Sequence, residues 1–359
     1  DISKENNIHL TSIIILTYNQ LKYTKLCIES IRKFTYKNRY ELIVVDNNST
    51  DGTVSWLKEQ DDIKLILNNE NYGVAKGWNQ GIELSKGENI LLLNNDVIAT
   101  PNWLYNLDSC LWSNSEIGAV SCLSNHVSNK QRIEVGYSDI TSMLDFASEF
   151  NIQDSRKYES RDKLIGFCLL IKREVINKVG LLDEQFFPGN FEDDDYCMRI
   201  LEAKYKLVLS KDTFIHHFGN ISFKNNDLDY KKILRKNKEK FKKKLAEQEE
   251  KIQKKLEKQL GYIHNIKTLT KEIKNIKKET GRDELYIGYP FIEGAFKDNT
   301  FVRAPLFLFP VLVNINGSTV TLEKSIDSPI LLNKVFILAH SKYNESKPIN
   351  IETKYEKLS

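Results

Sequence analysis

Four acids in a row, Glu192–Asp195, stand between aromatic residues in the stretch FPGNFEDDDYCMR at 187–199. Adjacent carboxylates repel one another, and burial raises the cost of ionising each, so such a run is unfavourable unless a cation or a reaction uses the charge. Two other places carry residue types suited to chemistry: Asn94, Asn95 and Asp96 at the end of an apolar run, and His216 and His217 in HHFGNIS at 216–222. Oxygen ligands suit hard divalent ions such as Mg2+ and Mn2+, and a neutral imidazole suits Mn2+. Each has a plain structural alternative. Those are a solvated acidic loop, an ordinary strand-end turn and a structural histidine pair.

The elements that would position these residues are legible in the front of the chain. Apolar runs SIIILTYN (12–19), ELIVVDNNSTDGT (41–53), IKLILN (63–68) and NILLLNND (89–96) alternate with helical patterns such as Leu26–Phe34 and Val74–Ser85. Continuous rather than alternating apolar strands, separated by helices, predict a parallel sheet covered on both faces. Polar residues gather at the C-terminal ends of three of these strands: Thr17, Tyr18 and Asn19, then Asp46 to Ser49, then Asn94 to Asp96. That edge is where ligands bind in open α/β sheets, so a nucleotide site is expected there. The glycines of NYGVAKGWNQG (71–81) allow close backbone approach and Lys76 could meet phosphate, with helix packing as the equal alternative for the glycines.

Composition narrows the class. With 359 residues, 41% hydrophobic and 10% aromatic, the chain can bury a sizeable core and is long enough for two domains. The longest apolar runs, such as Ile90–Leu93 and Leu306–Val313, fall well short of the ~20 residues that cross a bilayer. Cys27, Cys110, Cys122, Cys168 and Cys197 include no close pair, which argues against a disulfide framework and a zinc cluster and points to a reducing cytoplasm. No GxxxxGK[ST] phosphate loop occurs, so ATP-driven motor activity is excluded.

The net charge of +3 hides an asymmetry, because residues 231–280 carry 18 Lys+Arg against 7 Asp+Glu. Apolar residues there fall at Leu245, Ile252, Leu256, Ile263, Ile266, Leu269, Ile273 and Ile276, the spacing of one stripe on a long helix or helical hairpin. Its roles range from linker or self-associating coiled coil to a surface for nucleic acid or anionic membrane. Past Gly281, Pro290, Pro305, Pro310 and Pro329 punctuate aromatic and β-branched runs, and Asn316-Gly317 signals a turn between two strands. The expected organisation is a catalytic α/β domain over 1–227, a lysine-rich helical segment over 228–280 and a small β-rich module over 281–359.

Five elements in order, ILTYNQ (15–20), VVDNNSTDGT (44–53), NYGVAKGWNQGI (71–82), LLLNNDV (91–97) and FEDDDYCMR (191–199), make residues 11–225 similar to glycosyltransferase family 2. The resemblance implies the GT-A fold and inverting transfer of a sugar from a nucleotide-diphosphate donor, UDP- or dTDP-linked, to a glycan, lipid-linked or protein acceptor. It assigns the general base to Asp193 and acceptor positioning to Glu192. Asp195 and Arg199 would fix the following helix, and Asp194 would face solvent. Donor contacts fall to Thr17, Tyr18, Asn19, Asp46, Asn48, Lys76, Asn94 and Asn95. Asp96 would hold Mn2+ or Mg2+ with His217, favoured over His216. Asn replaces the first acid of the family's Asp-x-Asp-like element, leaving Asn94 to serve either the ribose or an inner-sphere water.

The implied setting is cytoplasmic, peripheral at the inner face of the membrane, in cell-surface polysaccharide or glycoconjugate synthesis. Residues 280–340 resemble part of an accessory domain of bacterial superfamily 1 DNA helicases. A nucleic-acid-associated module with a vestigial transferase front is therefore the alternative function, and a structural coiled-coil assembly protein a third.

Overall fold

Each strand of the front half is apolar at nearly every position because both of its faces are covered. In the computed structural model, which describes residues 9–219 and 230–260 and strand segments between 285 and 322, four strands pair in parallel. They are β1 (Thr11–Thr17), β2 (Tyr40–Asp46), β3 (Ile63–Leu67) and β4 (Asn89–Asn94), in the order β3-β2-β1-β4. The crossovers hold α1 (Leu21–Phe34), α2 (Thr53–Lys58) and α3 (Gly73–Leu84), and α4 (Trp103–Trp112) follows β4. Ile13, Ile15, Val44, Leu91 and Leu93 pack with Cys27, Ile28 and Ile31 of α1 and Trp103 and Leu107 of α4. The intervening residues, Ile14, Ile43, Ile90 and Leu92, pack with Ala75, Trp78 and Ile82 of α3. This one-residue alternation is the pleat of the strand, which sends successive side chains into opposite cores.

Beyond β4 the sheet becomes mixed. β5 (Val97–Ile98) and β7 (Tyr158–Arg161) pair antiparallel with β9 (Lys206–His217), β6 (Ile117–Ser124) runs parallel to β9, and β8 (Cys168–Lys172) is antiparallel to both β4 and β6. The expected parallel arrangement therefore describes the first four of nine strands and the β6–β9 pair, and the α/β class holds for this sheet and its helices. The reversal of β8 matters for function. Its first residue, Cys168, lies opposite Leu93, so the preceding loop, 162–167, arrives at the edge where the parallel strands end. The remaining helices of this part are α5 (Ile140–Phe150), α6 (Arg173–Val179), α7 (Glu192–Glu202) and α8 (Tyr230–Leu260).

Glycine spacing in α3 answers to packing. A Cβ at Gly77 would overlap Leu16 and one at Gly81 would overlap Ile14, so these two glycines let the helix lie close on β1. Gly73 has φ +78°, and a Cβ there would fall 2.9 Å from the Pro188 carbonyl oxygen, which seats the start of α3 against the segment that precedes α7.

The chain divides into two compact units, 1–242 and 243–359, so the first unit includes the opening turns of α8. In the second, β10 (Leu285–Phe291), β13 (Phe307–Asn316) and β14 (Thr319–Leu322) form an antiparallel sheet, and β11 (Phe296–Lys297) pairs with β12 (Thr300–Phe301). Asn316 pairs with Thr319, as the Asn316-Gly317 signal predicts. The helical-stripe positions from Ile263 onward and residues 220–222 of HHFGNIS lie outside the described residues. Among the described residues, no helix is long and apolar enough to cross a membrane.

Candidate active site

The register of the parallel strands sets their polar ends level, with Thr17 opposite Asp46 and Leu16 opposite Asn94. Asp46 is fully buried; its Oδ2 accepts the Ser49 N–H at 2.8 Å, and its Oδ1 has no partner. Burial pushes the Asp46 carboxyl above its ordinary value, with the bonds from Ser49 opposing. A buried acceptor oxygen without a donor is costly alone and is satisfied by a ligand hydroxyl or N–H. The Asn19 N–H donates to Ser49 Oγ at 2.6 Å and Asn19 Oδ1 accepts the Thr50 N–H at 2.8 Å, which ties the loop after β1 to the loop after β2. Asn48, at φ 67°, is exposed between them, and Tyr18 is half-buried.

Thr17 and Asn95 are engaged differently. Thr17 Oγ1 lies 3.0 Å from Thr24 Oγ1, and Asn95 Nδ2 donates to Thr17 at 3.3 Å and to Thr24 at 3.0 Å, so these side chains brace one another beneath the strand ends. Lys76 places its ammonium 3.8 Å from the centre of the Tyr72 ring. A carboxamide relay that the sequence did not single out lies alongside: Asn47 donates to Asn71 at 3.2 Å and to the Gly73 carbonyl at 3.1 Å, and accepts from Asn68 at 2.9 Å.

The next corner joins Asp96 to His217. His217 Nδ1 lies 2.6 Å from the His126 carbonyl, which can only accept, so Nδ1 carries the hydrogen. Nε2 lies 3.1 Å from Asp96 Oδ1 and 3.5 Å from Asn94 Nδ2, so a proton or a cation at Nε2 would bridge it to the carboxylate. Both side chains are about 5% exposed, which favours such a bridge. Asn125 brackets the histidine, accepting its N–H at 2.8 Å and donating to its carbonyl at 3.2 Å, and Phe167 stacks on the ring at 5.3 Å. His216 turns elsewhere. Its Nδ1 meets the Tyr137 hydroxyl at 2.7 Å, and burial pushes its imidazole down to about 4.

This corner fits a divalent ion whose remaining ligands come from a substrate. Among the described residues no group of three or more His, Cys, Asp or Glu is placed to hold a metal. Asp96 and His217 bring a carboxylate oxygen and an imidazole nitrogen to one point, and the His126 carbonyl orients the ring through Nδ1.

The four acids open α7, where the helix dipole favours negative charge. Each has a distinct setting. Asp195 is fully buried and accepts from Arg199 Nε at 2.8 Å. Asp194 forms an ion pair with Lys163 and is only 15% exposed, so it does not face solvent as expected: the loop before β8 covers it. Burial pushes the Asp194 carboxyl up to about 6 although Lys163 pulls it down. Glu192 is buried with Oε2 lacking a partner, and burial beside Asp193 and Asp194 holds its carboxyl well above the usual range. Asp193 is oriented by two backbone donors, Gly166 N–H to Oδ2 at 2.9 Å and Asp194 N–H to Oδ1 at 3.0 Å. The repulsion that the sequence suggests is thus relieved by Lys163 and Arg199, and by the upward shift of the Glu192 carboxyl, which favours its protonated form.

One short loop joins the corners. Gly166 holds Asp193, and its neighbour Phe167 stacks on His217 and accepts the Asn94 N–H through its carbonyl at 2.9 Å. A Cβ at Gly166 would sit 3.1 Å from Asp193 Cβ and 3.2 Å from Trp78, so a larger residue would crowd the acid and the tryptophan. Nothing in the types of residues 162–167 announces this role.

The elevated Asp194 value has a testable sign. A carboxyl raised above its unfolded value binds its proton more tightly in the fold, so ionising it removes stability as pH rises from about 4 to about 6. Asp194→Asn resembles the protonated form and escapes this loss. Its melting temperature should therefore rise relative to wild type across that window and run parallel above it, as scanning calorimetry would show. A variant that loses ground over the same window would mean that the Lys163 pair outweighs burial.

Comparison with known proteins bears on the strand-end residues Thr17, Asp46 and Asn94 to Asp96, which fall within the matched span. The family model described as Glycosyl transferase family 2 matches residues 12–180, from β1 through α6. Residues 12–180 carry a glycosyl transferase family 2 domain. The chain also belongs to a protein family of unknown function, DUF4011, whose model matches residues 123–337. That second match is what covers most of the region with the helicase-like resemblance.

Among curated relatives of the glycosyl transferase family 2 domain, the chain is 29% identical over 218 residues to "Glycosyltransferase GlyG" of Streptococcus pneumoniae, covering 58% of this chain and 68% of that one. It is 25% identical over 212 residues to "Glycosyltransferase AglE" of Haloferax volcanii, covering 57% and 66%. "Uncharacterized protein y4gI" of Sinorhizobium fredii is 26% identical over 238 residues, of which the chain spans only 26% of the length. Among solved structures, the mannosyltransferase PcManGT from Pyrobaculum calidifontis, in complex with GDP-Man and Mn2+, is similar at 22% identity with a TM-score of 0.45, covering 58% of this chain and 57% of that one.

Proposed function

We propose that the chain is an inverting, divalent-metal-dependent glycosyltransferase acting on a nucleotide-diphosphate sugar. The observation that carries this reading is the loop 166–167, which ties a backbone-oriented carboxylate, Asp193, to the Asp96–His217 corner at the end of a nucleotide-type sheet. The family 2 domain over 12–180 supports it.

In this reading Asp46 receives a hydroxyl or N–H of the nucleoside with its free Oδ1, while Asn19 and Asn48 line the same rim. Asp96 and His217 would hold Mn2+ or Mg2+, with Asn94 beside them. Such an ion supplies positive charge against the diphosphate as the anomeric bond breaks. Asp193 takes the proton of the acceptor hydroxyl while that oxygen forms its bond to the anomeric carbon and the nucleoside diphosphate leaves with the bonding pair. A single displacement inverts the anomeric centre. Glu192, buried next to the base, positions the acceptor. The donor is UDP- or dTDP-linked, and the acceptor is a glycan, lipid-linked or protein hydroxyl, in polysaccharide or glycoconjugate synthesis.

The test is a panel of UDP-glucose, UDP-GlcNAc, dTDP-rhamnose and GDP-mannose, each with and without Mn2+, followed by thermal shift and by release of the nucleoside diphosphate. At least one should raise the melting temperature and turn over only with the ion. A panel in which none binds, with or without Mn2+, would contradict the proposal.

A further inference from the structure

We infer that Asn237 of α8 is a positioning residue for the acceptor-side carboxylates, so that the opening turns of the basic helix belong to the catalytic machinery and are not a linker. This rests on the reading of Asp193 as the base. Asn237 is fully buried on a helix whose other faces carry exposed lysines. Its Nδ2 donates to the carbonyls of Phe186 at 2.7 Å and Gly189 at 2.8 Å, and lies 3.4 Å from that of Phe187. One turn on, the buried Phe241 ring packs 6.3 Å from Phe186 and 5.6 Å from Phe191, centre to centre, and Lys240 donates to the Gln185 carbonyl.

These carbonyls belong to the segment that runs directly into Glu192 and Asp193. On its other side the Pro188 carbonyl accepts the Val74 N–H at 2.9 Å, so the segment is held between α8 and the start of α3. The segment needs holding. Asn190 and Phe191 stand at φ 75° and 76°, a left-handed conformation that asparagine adopts readily but that a bulky residue such as Phe191 adopts at a cost. Phe191 is the residue before the first acid, so relaxing it would turn the first helical turn and with it Asp193. The contacts of Asn237, Lys240 and Phe241 fall on residues 185–191, next to the acids, and not on the strand-end loops. Loss of the Asn237 amide should therefore disturb the acceptor side and spare the donor side.

The experiment uses the full chain with Asn237→Leu, which keeps the bulk and removes the donors, and Phe241→Leu as a milder second variant should the first fail to fold. Hydrogen exchange over 186–195 should accelerate by about tenfold or more, while peptides over 17–20, 46–49 and 94–97 keep wild-type rates. Affinity for UDP or GDP with Mn2+ should stay within about twofold, and turnover of whichever panel sugar nucleotide the wild type uses should fall roughly 10- to 100-fold. Unchanged exchange over 186–195, or nucleotide affinity that falls in step with turnover, would overturn the inference. Asp193→Asn separates this from failure of the function itself: full turnover there refutes the base, and the exchange contrast still decides the role of Asn237.

Discussion

Asp193→Asn should lower kcat by ~10²–10⁴ and leave nucleotide affinity nearly unchanged. The substitution keeps the shape of the side chain and one carbonyl-type acceptor for the backbone donors at Gly166 and Asp194, but removes the group that takes a proton. The control is Asp194→Asn. Asp194 is occupied by Lys163 and covered by the loop before β8, so that variant should alter the pH dependence of stability far more than turnover. Single-turnover transfer with saturating donor and Mn2+ discriminates the two. Equal rates for wild type and Asp193→Asn would remove Asp193 from the mechanism, and a large loss confined to Asp194→Asn would shift the role by one residue.

Asp96→Ala should abolish the response to metal and lower turnover by ~10²–10³. Asp96 and His217 offer only two of the roughly six ligands that Mn2+ or Mg2+ takes, so the ion should bind weakly alone and tightly once nucleotide oxygens complete the shell. Calorimetry with Mn2+ alone, UDP or GDP alone, and both together reads this coupling directly. In wild type each ligand should strengthen the other, and in Asp96→Ala nucleotide affinity should no longer depend on Mn2+. Micromolar Mn2+ binding without nucleotide, or full activity of Asp96→Ala in EDTA, would contradict it.

The strand-end shelf was legible because a parallel sheet covered on both faces leaves only its C-terminal edge for polar work, so Thr17, Asp46 and Asn94 had to finish level. The preference for His217 over His216 rests on the family resemblance; in the strand the two neighbours point to opposite faces. What connects the corners was not. Lys163 meets Asp194, Asn125 brackets His217 and Asn237 holds Phe186 across long stretches of chain, and such contacts leave no local period or motif. The antiparallel insertion of β8 was hidden for the same reason: CLLIK reads as a buried strand in either direction. The glycines of α3 carried a signal that fits two causes, and only the overlap of a Cβ with Leu16 or Ile14 separates packing from ligand approach.

Proton NMR of the anomeric centre during Mg2+-dependent turnover of the responsive panel donor reads whether transfer from a nucleotide-diphosphate sugar is a single displacement. With water as the acceptor, the first free sugar to appear should have the anomeric configuration opposite to the donor, and Asp193→Asn should slow its appearance by ~10²–10⁴. Release of sugar with the donor's own configuration, before mutarotation, would contradict the account.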